Sequence, residues 1–138
     1  MHRRQILFIT LMFLLLLSNL YAEDCPLKGK WKSNSELTLK GIKINNTFTQ
    51  ERLEYLSKEF FGKLIVEFTC NSFTTFNGNE KVKTDYKIIK QEGNFITIEY
   101  FDEALGKSVQ DRIEIVGDCY YSSPMTFGIK EAMCKIKE

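Results

Sequence analysis

The sequence predicts a mainly β fold: an antiparallel up-and-down meander closing into a barrel or half-barrel of seven or eight strands, with one amphipathic helix at about residues 48–61. Three observations predict it. Between Glu80 and Gly117, three runs alternate apolar and polar residues with a period of two and are rich in β-branched and aromatic side chains. Those runs are parted by Glu92-Gly93-Asn94 and Ala104-Leu105-Gly106, short turn-forming clusters of the kind that join hairpin strands. Only one stretch of the mature part, Thr47 to Gly62, carries apolar residues at helical spacing.

The N-terminus reads as a leader. Met1-His2-Arg3-Arg4 is basic, Ile6 to Leu17 is apolar, and the segment ends at Tyr21-Ala22, matching a secretory signal peptide over residues 1–22. The apolar run is shorter than the roughly 20 residues a spanning helix needs, so no stable membrane anchor is expected after cleavage. Cleavage leaves 116 of the 138 residues, one domain over 23–138, with 17 basic and 18 acidic side chains. Such a balance, with the charges interspersed, gives no attraction to nucleic acid or to an anionic membrane. Cys25, Cys70, Cys119 and Cys134 all lie in this part, and an even count behind a leader predicts two disulfides in an exported, periplasmic or extracellular protein. Their pairing stays open. Antiparallel pairing of the first and last strands would join Cys25 to Cys134 and Cys70 to Cys119; a local Cys119 to Cys134 bridge is the other possibility.

The first strand opens with Gly29-Lys30-Trp31-Lys32-Ser33-Asn34, and Glu36-Leu37-Thr38-Leu39 follows. Trp31, the lone Trp, sits where a large ring can plug one end of a sheet. Lys40 to Asn46 is a polar connection, and Asn45-Asn46-Thr47 fits the glycosylation acceptor pattern. Thr47 with Gln50 has the form of a capping box; Leu53, Leu56 and Phe60 then share one helical face, and Gly62 stands where a glycine would end the helix. This helix is expected to dock on the sheet, as a lid over one end. Lys63 to Cys70 alternates again, Ser72 to Phe76 is a further strand, and Asn77-Gly78 is a hairpin signal. After the meander come Cys119-Tyr120-Tyr121, a loop through Pro124 and Gly128, and a last strand near Ile129 to Lys137.

The available chemistry is narrow. His2, the single histidine, leaves with the leader, so the mature chain has no imidazole for a Ser-His-Asp or Cys-His catalytic set or a metal site. Glu99 and Asp111 are candidates for a carboxylate pair, with Asp111 sharing the inward parity of Val109, Ile113 and Ile115. No glycine-rich phosphate loop or cofactor motif is present, and neither catalytic nor metal residues are assigned. Aromatic residues are plentiful on the strands, and Phe68, Tyr86, Tyr100 and Tyr120 are expected to face inward, where Tyr hydroxyls offer hydrogen bonds inside an apolar cavity.

With Gly29-Lys30-Trp31 opening the first strand, a helical segment next and an antiparallel meander after it, the chain resembles the lipocalin (calycin) superfamily, especially small bacterial lipocalin-like domains. Thr84-Asp85-Tyr86, 53 residues after Trp31, is similar to that family's second signature. The resemblance implies a barrel open at one end that holds a small hydrophobic ligand or lipid without transforming it. It also implies a cation packed on Trp31: Arg112 is the candidate, Lys135 its substitute. Trp31 and Arg112 thus join the four aromatics as expected ligand-site residues. An alternative expectation is a disulfide-stapled interaction protein, an inhibitor or immunity factor, contacting its partner through Ser122 to Phe127 with Pro124, Met125 and Phe127.

Overall fold

A computed structural model of the chain describes residues 24–42, 48–122 and 130–137. The leader, the Asn45-Asn46-Thr47 triplet and most of the Ser122 to Phe127 loop lie outside the described residues. Eight strands form a closed antiparallel barrel in simple sequence order: β1 (Gly29–Ser33), β2 (Ile65–Phe68), β3 (Ser72–Asn77), β4 (Glu80–Glu92), β5 (Phe95–Asp102), β6 (Lys107–Val116), β7 (Cys119–Ser122) and β8 (Glu131–Lys135). β8 returns to pair with β1, so no edge is left open. The meander predicted between Glu80 and Gly117 is β4, β5 and β6.

Three of the turns share one solution. Gly78-Asn79, Gly93-Asn94 and Gly117-Asp118 are two-residue connections between the register pairs Asn77 and Glu80, Glu92 and Phe95, and Val116 and Cys119. In each the Gly has positive φ and the residue after it does not, the pattern of a type II′ turn, whose twist matches that of the strands it joins.

The closed end is built around Trp31. Its ring is 2 % exposed, its Nε1 donates to the Leu27 carbonyl oxygen at 2.8 Å, and the Tyr120 ring meets it edge-on at 5.0 Å. Lys135, register partner of Trp31, carries its Nζ to 5.3 Å from the indole centroid. Gly29 makes room for that side chain: a Cβ there would meet Lys135 Cε at 3.0 Å, and its φ of +133° is one L side chains rarely adopt. The cation on the indole is therefore Lys135. Arg112, the first expectation, lies on the outer face of β6 with its guanidinium over the Phe95 ring at 4.0 Å, because its odd-even position opposes inward Asp111 and Ile113.

The disulfides are Cys25 to Cys70 and Cys119 to Cys134. Of the two pairings left open, the local Cys119 to Cys134 bridge is the one formed; the other, Cys25 to Cys134, is excluded by register, although the antiparallel pairing of the end strands on which it rested holds. Cys134 sits opposite Lys32, well along β1, whereas Cys25 precedes a turn closed by Lys28 N donating to Cys25 O and lies near the end of β2. Cys119 and Cys134 are direct cross-strand partners.

Two helices are described where one was expected. Residues Ser35–Lys40 form α1, capped by the Asn34 side chain accepting from Leu37 N, rather than prolonging the first strand. The chain leaves the sheet because Thr38 locks α1 against β8: its Oγ1 donates to Asn34 O at 2.8 Å and accepts from Ala132 N at 3.0 Å. The expected helix is α2 (Gln50–Glu59), with Thr49 as N-cap. Leu53 and Leu56 are buried as read, but Phe60 is the exposed C-cap and Phe61 takes the inward place. Instead of closing the barrel as a lid, α2 packs with α1 around a second apolar cluster of Leu56 and Phe61 with Leu39, Ile42 and Phe48.

Candidate functional site

Inward positions on an eight-stranded barrel are filled from the closed end upward. Trp31, Phe68, Tyr86 and Tyr120 pack with Ile96, Ile98, Ile113 and Met133 into one core. Their rings form a continuous chain of edge-on or tilted contacts: Trp31 to Tyr120, Tyr120 to Phe68 at 6.0 Å, Phe68 to Phe73 at 5.5 Å and Phe73 to Tyr100 at 5.3 Å. This half is solid. Above it, toward the ends of β1 and β7, a cavity of about 190 Å³ remains.

The cavity floor is apolar, with Phe68, Phe73, Ile98 and Met133, while one wall is polar, with Tyr100, Asp111, Tyr120, Ser122 and Glu131. That wall follows from strand parity. Ile98 pairs with Asp111, Tyr120 with Met133 and Ser122 with Glu131, so each polar residue shares its face with an apolar core residue. Glu131 is held in place: Ser33 Oγ donates to its Oε1 at 2.6 Å, and the same hydroxyl accepts from Gly62 N at 2.9 Å. Ser33 is itself buried, so this acceptor is oriented by the backbone beyond α2. Burial pushes the Glu131 carboxyl above the ordinary value, with the Ser33 hydrogen bond pulling the other way.

The tyrosines differ in how their hydroxyls are used. Tyr86 donates to the Thr69 carbonyl oxygen at 2.8 Å, near the closed end, and burial raises its pKa. Tyr100 is half-buried, its pKa raised by burial and then by Asp111 and Asp102. Tyr120 is 4 % exposed, and its pKa is driven far up by burial and then by the carboxylates of Glu131 and Asp111. Its ring lines the cavity.

Of the six residues expected at a ligand site, Phe68, Tyr100 and Tyr120 come together on the cavity. Trp31 and Tyr86 belong to the packed half below it, and Arg112 is outside the barrel. The carboxylate pair Glu99 and Asp111 is not brought together. Asp111 faces in, but Glu99 faces out, where Gln110 and then Lys87 at 3.0 Å lower its pKa. Glu131 went unrecognised. Its signal was the parity of the last strand, where it alternates with the apolar Met133. Among the described residues no group of three His, Cys, Asp or Glu side chains could hold a metal ion.

No family model, curated protein or solved structure matches the chain. Thr84-Asp85-Tyr86 lies inside β4, in register with both neighbouring strands.

Proposed function

We propose that this protein is an exported, non-catalytic binding protein that takes a small molecule into the open half of its barrel. The observation that carries this reading is the cavity itself: an apolar floor facing a wall of oriented polar groups is the usual make-up of a small-molecule site. The two disulfides suit an oxidising compartment and support the export half of the proposal.

Volume narrows the ligand. At about 190 Å³ the cavity lies below the roughly 300 Å³ at which drug-sized pockets begin, and near the size of a cavity that accepts a single benzene ring. That favours a molecule of one ring with a short substituent over a lipid chain, and moves the expectation from a hydrophobic cargo to an amphipathic one. The rival expectation, a protein contact through residues 122 to 127, falls on a segment of which only Ser122 is described; no observation favours it over the cavity.

The reading is tested by screening ring-sized compounds against the purified protein by native mass spectrometry, with the Thr75→Trp variant in parallel. Thr75 lines the cavity, so a Trp there fills it. Compounds that bind the native protein one to one and are lost from the variant are expected. Binding that the variant retains in full would place the ligand elsewhere and overturn the proposal.

A further inference from the structure

Closure removes the terminal edges of the sheet, yet β4 keeps one side free over part of its length. Its residues Glu80 to Asp85 pair with β3, whereas its pairing with β5 begins only at Tyr86 and Tyr100. β5 continues past Tyr100 to Asp102, held there by β6 alone. The two strands therefore part toward the open end of the barrel. A recess of about 370 Å³ lies between them, with Lys83, Thr84 and Asp85 on one lip and Phe101 and Glu103 on the other. Hairpin geometry sets which backbone groups face it. Asn77 and Glu80 flank a two-residue turn and so exchange both hydrogen bonds. By alternation Val82 and Thr84 also direct theirs to β3, as does Tyr86, whose N–H donates to the Asn71 carbonyl oxygen at 2.9 Å. Lys81 and Lys83 turn their N–H and C=O groups the other way, where no described strand pairs with them.

The side chains along this seam are also uncovered. Val82 has inward parity, opposite Thr75 of the cavity lining, but without β5 beside it stays 51 % exposed; Phe101 on the far lip is 56 % exposed. Lys81 and Lys83 face outward. Lys81 rests on the Phe76 ring at 5.5 Å, and Lys83 has no ion pair among the described residues. We propose that the seam is a docking site for a strand of another protein: an extended acidic segment that pairs antiparallel with β4 from Lys81 to Asp85. A polypeptide strand carries donors and acceptors at the repeat of this edge, and adding a strand to a sheet is an established mode of peptide recognition. Charge complementarity selects the side chains. Lysines on a free edge repel most strands, so they favour one with acidic residues opposite Lys81 and Lys83. A basic residue opposite Asp85 completes the outer face, and an apolar residue between the two acids covers Val82. The proposal is independent of the cavity reading.

The experiment titrates the purified protein with the peptide acetyl-Thr-Lys-Thr-Glu-Val-Glu-Thr-amide, followed by chemical-shift changes of the backbone amides. Shifts are expected along β4 from Lys81 to Asp85. The charge-reversed peptide, with Glu and Lys exchanged, is expected to bind about tenfold more weakly, the scale of three cross-strand charge pairs. N-methylation of the two Glu residues, whose N–H groups would face β4, is expected to abolish binding; N-methylation of the Val between them, whose N–H faces away, is expected to leave it largely intact. On the protein, Lys83→Pro removes the outward N–H and spares the pairing with β3, and is expected to abolish binding as well. If that variant fails to fold, the methylated peptides decide on the native protein. Failure of the parent peptide to bind, or equal binding of the parent and the doubly methylated peptide, would overturn the proposal. A dimer in sedimentation that Lys83→Pro dissociates would assign the seam to a second copy of this chain and overturn it too.

Discussion

Two tyrosines on the same inward surface illustrate how a single hydroxyl divides between stability and binding. Tyr86 spends its O–H on the Thr69 carbonyl oxygen, so Tyr86→Phe deletes a half-buried hydrogen bond and is expected to cost about 1 kcal/mol in urea unfolding. Tyr120→Phe removes a hydroxyl at the cavity wall and is expected to change stability by less than about 0.5 kcal/mol while weakening a ligand held in the cavity. Equal losses in the two variants would show that the Tyr120 hydroxyl is engaged in the fold. Glu131 adds a pH signature. Folding raises its pKa above the ordinary 4.5, so the native state favours the protonated form. That contribution is full below the ordinary value and is lost as pH rises through the raised native one. Glu131→Gln cannot ionise, so its stability relative to the native protein is expected to increase from pH 4.5 toward neutrality. A difference that stays flat across this window, measured by denaturant titration at several pH values, would mean that Glu131 is not desolvated; Asp111 and Tyr120, which face the same wall, are unchanged in both proteins.

Among the elements, α1 depends most on one side chain. Thr38 Oγ1 is the partner of the Ala132 N–H, which is wholly buried, so Thr38→Val preserves shape but strands a buried donor. A loss of about 1 to 3 kcal/mol is expected by chemical denaturation, against about 1 kcal/mol for Asn34→Ala, which removes only the cap. Near-zero cost for Thr38→Val would mean that α1 does not hold β8. This helix was hidden in the sequence for a physical reason. Glu36-Leu37-Thr38-Leu39 is too short for periodicity to separate strand from helix, and what decides is a contact 94 residues away. The long strands were legible because each carries several alternations between Gly-containing turns. Even there the adjacent Ile88 and Ile89 break the rhythm, and the barrel absorbs them as a bulge that leaves Ile89 exposed. The site was half legible by the same logic: parity alone places Asp111, Tyr100 and Tyr120 inside. Lys135 on Trp31, rather than Arg112, depends on which residue of β8 stands opposite the indole, a register set by the whole closure.

At the scale of the molecule, closure and disulfides do different work on the same barrel. Hydrogen bonding of β8 to β1 removes the sheet edge, but between them the chain passes through two helices and six strands, and bringing such distant segments together costs conformational entropy. Each disulfide recovers part of that cost by restricting the unfolded chain, in proportion to the logarithm of the loop it closes. Cys119 to Cys134 spans 15 residues and ties two strands already in register; Cys25 to Cys70 spans 45 and fastens the segment that carries Leu27 over the Trp31 end. By loop entropy the short bridge contributes about 3 kcal/mol and the long one about 4 kcal/mol. The paired variant Cys25→Ser with Cys70→Ser is therefore expected to lose more stability than Cys119→Ser with Cys134→Ser. It should also redden and broaden Trp31 emission before global unfolding, because freeing Leu27 exposes the indole. If instead the short-loop variant is the less stable of the two and Trp31 emission follows global unfolding in both, then the strands β7 and β8, with the cavity wall they carry, are the part of the barrel that needs a covalent staple, and Leu27 is held over the indole by packing alone.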